Sequence, residues 1–146
     1  MKHLFTITLF VISVGVFAQD TQYFNKKGVA INGYDPVAYF TDNAAVEGAT
    51  QFSYEWQGTK WLFKSQKNLD SFKATPEKYA PQFGGYCAYG VSENHKSPTE
   101  GAAFTIVDDK LYLNYNMQVR EMWRKDTQDL IAKGRSNWTV LKNKKD

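Results

Sequence analysis

Cysteine and proline are scarce in this chain of 146 residues, which has one Cys and four Pro. A single thiol cannot form a disulfide within its own chain, and it excludes zinc sites built from two or more thiolates. Charge of one sign is also scarce, because 18 basic and 15 acidic residues leave a net charge of +3. This excess is too small for a nucleic-acid footprint, so we expect no nucleic-acid partner.

Aromatic residues are abundant by contrast, with nine Tyr, ten Phe and four Trp making up 16% of the chain. Hydrophobic residues account for 42% and charged residues for 23%, which is the composition of one ordinary globular domain. We therefore expect one core that is built largely from flat side chains.

The chain has one long apolar run, over residues 4–17, and Lys2 precedes it. Val16-Phe17-Ala18 ends the run with small residues at the two positions that a signal peptidase recognises. The run is shorter than the roughly 20 residues of a membrane-spanning helix. The pattern predicts a signal peptide over residues 1–18 and a secreted protein of the bacterial periplasm, without a stable membrane anchor after cleavage. An uncleaved anchor is the alternative.

The remaining chain divides into a polar lead-in over residues 19–28, one domain over residues 29–141 and a basic tail over residues 142–146. Cleavage would leave His95 as the only histidine. It would also leave Cys87 as a lone thiol in an oxidising compartment, where it cannot pair within its own chain.

Two segments, residues 52–63 and 104–113, each place two short strand-like runs around a two-residue turn, which predicts two β-hairpins. Ser65 and Asn116 follow the hairpins as predicted helix N-caps. A weak internal similarity at an offset of 50 residues supports two related units. We predict an α+β fold: a small single domain with two β-hairpins, each followed by helix, around a shared aromatic core.

The apolar positions of these strands and helices predict the core. The predicted core residues are Trp56, Trp61, Phe63, Leu69, Phe72, Phe104, Ile106, Leu111, Leu113, Val119, Met122 and Trp123.

Three motifs occur in order along the first half of the chain: Asp35-Pro36-Val37, the aromatic run over residues 54–63 and the run over residues 72–79. Together they resemble the YHS domain, a small module found alone and attached to metal-handling proteins. The continuation through residues 84–89 and 111–115 is similar to the secreted, single-domain branch of that family. The resemblance implies a binding module that is connected with metal handling, with copper as the candidate metal.

The chain departs from the metal-binding members of that family at each thiolate position. Those members resemble Asp-Pro-Val-Cys-Gly-Met, followed by an aromatic-Phe-Cys-Ser-x-x-Cys run. Ala38 stands here at the first Cys position and Phe40 at the Met position, and the later pair of Cys positions holds Lys64 and Asn68. The family's usual metal site therefore does not carry over to this chain.

Cys87 and His95 are the candidate metal ligands. They could bind Cu(I) together, with Met117 or Met122 as a soft third ligand. The alternatives are a buried structural thiol and an exposed loop histidine. The same pair could also serve nucleophilic catalysis, although the sequence offers no evident third group to orient the histidine.

Tyr34, Asp35, Tyr86 and Tyr89 are candidates for lining a polar pocket. For Asp35 we favour the alternative of a helix-capping residue, since Pro36 follows it at a position typical of a first helical turn.

We interpret the chain as a non-enzymatic binding module for a metal or an unidentified protein partner. A thiol-dependent redox enzyme or metal-dependent enzyme centred on Cys87, and a purely structural partner-binding domain, are the alternatives. One Cys and one His cannot supply the four ligands of a structural zinc, so we expect folding without metal.

The signal-peptide prediction can be tested by intact-mass measurement of the exported protein. The mass should correspond to a chain that begins at Gln19. A cytoplasmic protein that retains residues 1–18 would contradict it.

Overall fold

The computed structural model describes residues 22–145, so the predicted signal peptide lies outside the described residues. The strands are β1 (Asn25–Lys26), β2 (Val29–Ala30), β3 (Ala49–Trp56), β4 (Thr59–Phe63), β5 (Phe104–Val107) and β6 (Lys110–Leu113). The helices are α1 (Ala38–Thr41), α2 (Gln66–Ala74), α3 (Pro76–Tyr79), α4 (Ala88–Ser92), α5 (Met117–Arg124) and α6 (Thr127–Leu141). Short 3₁₀ turns cover Ile31–Gly33 and Gln82–Gly85.

Both predicted hairpins are confirmed, and each belongs to a different sheet. Strands β3 and β4 form one edge of a four-stranded sheet of order β1-β2-β4-β3, in which β2 and β4 are parallel. Strands β5 and β6 form an antiparallel two-stranded sheet. In both hairpins the two turn residues have positive φ, as the right-handed strand twist favours. Strand β3 begins at Ala49, earlier than the sequence pattern predicts.

The two predicted N-caps are also confirmed. The Asn68 amide donates to Ser65 Oγ at 3.2 Å at the start of α2, and the Val119 amide donates to Asn116 Oδ1 at 2.9 Å at the start of α5. Helix α4 was missed by the sequence analysis, because its residues include glycine and follow a glycine-rich segment. The Cys87 side chain caps it.

Most of the buried apolar residues within residues 22–145 belong to one of two clusters. The first contains Tyr23, Ala30, Ile31, Val37, Tyr39, Trp61, Phe63, Leu69, Phe72, Ala80, Leu111 and Leu113. The second contains Phe83, Tyr86, Ala88, Val91, Tyr112, Trp123, Leu130, Ile131 and Leu141. Strand β6 belongs to both, because alternate side chains of a strand point to opposite faces: Leu111 and Leu113 enter the first cluster and Tyr112 the second.

Seven of the twelve predicted core residues are buried, and four are half-buried. Met122 was predicted wrongly, since it is 42% exposed. Its neighbour Trp123, which was also predicted for the core, is fully buried. Successive residues of a helix point about 100° apart, so the inward position of Trp123 turns Met122 towards solvent.

The internal similarity has an offset of 51 residues over the hairpins and the helices that follow them, and of 52 residues over the turns that precede them. The ring centroids of Trp61 and Phe72 lie 5.1 Å apart at 31°, and those of Tyr112 and Trp123, each 51 positions later, lie 5.2 Å apart at 36°. The two N-caps obey the same offset. We call residues 31–74 the first half and residues 83–124 the second half.

The two halves also begin alike, with three consecutive residues of positive φ. Residues 31–33 have φ of 43°, 56° and 82°, and residues 83–85 have φ of 53°, 60° and 77°. Positive φ is uncommon outside glycine, so a matching run of three is a specific backbone signature. In each half the following tyrosine amide donates back across the turn, from Tyr34 to Ile31 at 3.2 Å and from Tyr86 to Phe83 at 3.1 Å.

The predicted fold class is confirmed: a small single domain of α+β type with two hairpins, each followed by helix, and aromatic clusters. None of the helices within residues 22–145 combines the length and apolar character needed to cross a bilayer.

Phe72→Ala should lower the free energy of unfolding by about 3–5 kcal/mol, because it empties a fully buried position that packs against four other rings. Met122→Ala is the control at an exposed position, and it should cost less than about 1 kcal/mol. Urea denaturation of both variants measures the difference. Similar losses for both would show that the first cluster does not depend on Phe72.

Candidate functional site

The first half is closed around the carboxylate of Asp35, which is fully buried. Oδ1 accepts the backbone amides of Val37 at 2.8 Å and Ala38 at 3.2 Å, which caps the turn that leads into α1. Oδ2 accepts the backbone amide of Lys64 at 2.9 Å and Asn68 Nδ2 at 2.7 Å. Four donors therefore surround one carboxylate, which joins the α1 turn to the junction of β4 and α2.

The side chain of Lys64 points away from this carboxylate and forms an ion pair with Asp42 at the surface. Hydrogen bonds from Lys64 and Thr41 hold the pKa of Asp42 below its ordinary value. Metal-binding YHS members carry their later pair of thiolates at the positions of Lys64 and Asn68. In this chain Lys64 forms a surface ion pair, and the side-chain amide of Asn68 is already hydrogen-bonded to Asp35.

A buried tyrosine lies near the same carboxylate. Tyr39 is fully buried, and its hydroxyl donates to the Gly101 carbonyl at 3.0 Å. Burial raises the pKa of Tyr39 well above its ordinary value, with smaller contributions from Tyr34 and Asp35. Tyr39 therefore stays neutral and acts as a hydrogen-bond donor between the two halves.

Cys87 occupies in the second half the place that Asp35 has in the first. The Tyr115 amide donates to its Sγ at 3.3 Å, 51 positions after the Lys64 amide that donates to Asp35. The Gly90 amide donates to Sγ at 3.4 Å, three residues along the chain, as the Ala38 amide does for Asp35. A sulfur thus replaces a carboxylate as the acceptor that joins a short helix to the end of a hairpin.

The thiol of Cys87 has one further partner. Its Sγ lies 3.6 Å from Oδ1 of Asn114, which also accepts the Tyr89 amide at 3.2 Å. Asn114 is fully buried and Cys87 is 2% exposed. The position of the sulfur is therefore fixed by the Gly90 and Tyr115 amides and by the side chain of Asn114.

The second half has a cavity beside Cys87, whereas in the first half four hydrogen-bond donors surround the equivalent residue, Asp35. A cavity of about 280 Å³ is lined by Cys87, Tyr89, Gly90, His95, Ser97, Tyr115 and Val119. Gly90, Tyr115 and Val119 are the second-half counterparts of Ala38, Lys64 and Asn68. These three first-half residues stand at the ligand positions of metal-binding YHS members. The cavity therefore lies at the equivalent position of the second half.

His95 enters this cavity because residue 90 is glycine. A Cβ at Gly90 would stand 3.2 Å from His95 Nε2 and 3.3 Å from Ser97 Oγ, which is tighter than most real contacts. The missing side chain lets the imidazole lie close to the backbone that donates to Cys87 Sγ. The structure thus brings both predicted metal ligands to one cavity, although the His95 side chain is itself exposed.

The other candidate residues are distributed differently. Tyr89 lines the Cys87 cavity, and Tyr86 lines a second, larger cavity. Tyr34 and Asp35 line neither of these two cavities. Met117 and Met122 are exposed and do not line the Cys87 cavity, so neither is placed as a third ligand.

Sequence reasoning missed Asn114, Gly90 and Tyr115. The internal repeat could have found the last two, because an offset of 52 maps Asp35 and Ala38 onto Cys87 and Gly90 and an offset of 51 maps Lys64 onto Tyr115. Asn114 carries no such signal, since its first-half counterpart is the apolar Phe63.

Comparison with known families gives one match: residues 37–83 match the YHS domain. This match supports the resemblance of the first half to the YHS domain. The matched segment covers the first half from α1 onwards and ends at Phe83, where the second half begins. No curated protein and no solved structure matched the chain.

The residues of the matched segment do not fit the metal site of metal-binding YHS domains. Ala38 has no donor atom in its side chain, and Asn68 Nδ2 is bonded to Asp35. Within residues 22–145, no group of three or more His, Cys, Asp and Glu side chains is placed to hold a metal ion. A four-coordinate zinc site is therefore not assembled from those residue types in the described chain.

Asp35→Asn should destabilise the protein by about 2–3 kcal/mol, because an amide NH₂ would face backbone or side-chain donors in place of a carboxylate oxygen. Asp42→Asn is the matched control, since it makes the same change at a surface ion pair and should have a far smaller effect. Thermal denaturation compares the two. Equal stability of Asp35→Asn and the unmodified protein would exclude the central role of this carboxylate.

Proposed function

We propose that this protein is an exported YHS-type binding module that holds Cu(I) between Cys87 Sγ and His95 Nε2. The observation that carries the proposal is the cavity of about 280 Å³ that both side chains line. A thiolate is a soft ligand that selects Cu(I), and imidazole is also a copper ligand. One ligand of each type suits a metal site of low coordination number better than a tetrahedral one.

The hydrogen bonds at Cys87 support a coordinating sulfur. Two backbone amides donate to Sγ at 3.3 and 3.4 Å, so the sulfur is positioned before any metal arrives. Outer hydrogen bonds of this kind orient a ligand and tune the metal that it holds. His95 supplies the accessible second ligand, and its exposure provides an entry path.

The surroundings of Cys87 favour binding over thiol catalysis. In a Cys–His–Asn arrangement the asparagine orients the histidine. Here Oδ1 of Asn114 accepts from Cys87 and from the Tyr89 amide, so this oxygen does not orient His95. We therefore place the enzyme hypothesis second to the binding hypothesis.

Export is part of the proposal and depends on the signal-like pattern of residues 1–18. Cys87 would then be a lone thiol in an oxidising compartment. Burial to 2% exposure limits access of large oxidants and of other thiols to it, while the cavity admits a small ion.

A Cu(I) titration under anaerobic, reducing conditions against a chromophoric chelator tests the binding. We expect one Cu(I) per chain. Cys87→Ser should weaken binding by about a hundredfold or more, and His95→Ala by at least about tenfold, since each removes one ligand. Met117→Leu is the control at a soft but exposed residue outside the cavity, and it should bind as the unmodified protein does.

The variants are informative only if they fold, and His95→Ala changes an exposed side chain that leaves the clusters intact. Circular dichroism of each apo variant checks this point. Unchanged Cu(I) affinity in a folded Cys87→Ser or His95→Ala protein would refute the site.

A further inference from the structure

A third cavity, of about 270 Å³, lies where the segment before β1, the turn over residues 82–85 and helix α6 meet. Gln22, Gln82, Arg135 and Trp138 are among its lining residues. It shares no described lining residue with the Cys87 cavity, so it is separate from the proposed copper ligands. Its volume is close to the lower end of the range of ligand pockets, which fits a small occupant.

Two glycines bring the walls of this cavity close together. A Cβ at Gly84 would stand 2.1 Å from the Gln22 carbonyl oxygen and 3.1 Å from the Trp138 ring, so only glycine lets these three segments meet. A Cβ at Gly134 would stand 2.7 Å from the ring of Phe83, so α6 packs directly on the turn. The rings of Phe83 and Trp138 lie 6.1 Å apart, and Phe83 belongs to the second buried cluster. The walls are therefore positioned before any ligand arrives, which lowers the free-energy cost of binding.

Arg135 is the charged side chain among the described lining residues of this cavity. It lies on α6 three residues before Trp138, so the two side chains share one face of the helix. Burial raises the pKa of Tyr112, and the neighbouring Arg135 partly offsets this rise, whereas Asp108 has a smaller effect in the opposite direction. Asp108 does not line the cavity, and within residues 22–145 no ion pair includes Arg135. The guanidinium thus borders the cavity beside a neutral hydroxyl, without a carboxylate partner.

Two side-chain amides line the cavity together with this guanidinium. Gln22 and Gln82 each offer two donors and one acceptor, and the indole of Trp138 adds a flat apolar surface. Glu77 acts on the neighbouring Tyr23, but it does not line the cavity. The described wall therefore combines one cation, two neutral polar groups and an aromatic ring.

We propose that this cavity binds a small organic carboxylate that pairs with Arg135 and carries a hydroxyl or amide group for Gln22 and Gln82. A guanidinium matches a planar carboxylate with two parallel hydrogen bonds. An uncharged ligand would leave this pairing unused, and inorganic phosphate has no carbon body to place on the Trp138 ring. A small polar acid uses all three kinds of group in the wall.

Heteronuclear NMR titrations with lactate, N-acetylglycine and their uncharged amides, lactamide and N-acetylglycinamide, test this proposal. We expect at least one of the two acids to bind in a 1:1 complex and to shift the indole resonance of Trp138. The acid that binds tighter identifies the group beside the carboxylate as a hydroxyl or an amide. Its uncharged amide should bind at least about tenfold more weakly, because the charge-assisted contacts to Arg135 are lost.

Arg135→Gln changes an exposed residue of α6 and should weaken binding of the tighter acid by at least about tenfold. Arg124→Gln is the matched control, since Arg124 pairs with Glu121 on α5 and does not line the cavity. Circular dichroism checks that both variants fold, and the comparison of acid with amide on the unmodified protein does not depend on either variant. Cys87→Ser should bind the acids as the unmodified protein does, which separates this result from the copper titration.

Four outcomes would overturn the proposal: binding of neither acid, equal binding of the tighter acid and its amide, unchanged binding in folded Arg135→Gln, or tighter binding of inorganic phosphate than of both acids.

Discussion

The buried carboxylate of Asp35 is the constraint on which the first half depends. An ionised carboxylate is tolerated in a protein interior only when donors replace its hydration. Here three backbone amides and one side-chain amide do so. These donors come from two places far apart in sequence, the turn before α1 and the start of α2. Because all four donors bond to one carboxylate, the end of the β3–β4 hairpin is held at a fixed position relative to α1. The first cluster packs against the elements that are held in this way.

The second half repeats this frame with a weaker acceptor. Sulfur is a poorer hydrogen-bond acceptor than carboxylate oxygen, and Cys87 Sγ takes two amides where Asp35 takes four donors. Position 119 is Val where the first half has Asn68, so this position supplies no side-chain amide to the acceptor. The first half is thus closed by hydrogen bonds to Asp35, whereas the second half has an open space beside Cys87.

Local patterns predicted the elements well because their causes are local. Turn residues that tolerate positive φ, and the N-caps Ser65 and Asn116, are set by neighbours within four positions. The wrong prediction for Met122 shows the limit of hydrophobic periodicity in an eight-residue helix. One step along this helix separates the buried side chain of Trp123 from the exposed side chain of Met122. The pairing of Cys87 with Asn114 could not be predicted, since it depends on how the segment before α4 packs beside the end of β6. The placement of His95 required knowing that Gly90 leaves room for its ring.

The alternation of strand β6 has a consequence for how the protein unfolds. Leu111 and Leu113 belong to the first cluster, and Tyr112, between them, belongs to the second. Pulling this strand away from either cluster also removes it from the other, because its three side chains share one rigid backbone. The two halves are consequently coupled in a single cooperative unit, and amide hydrogen exchange in their buried elements should report one common opening rather than two independent ones.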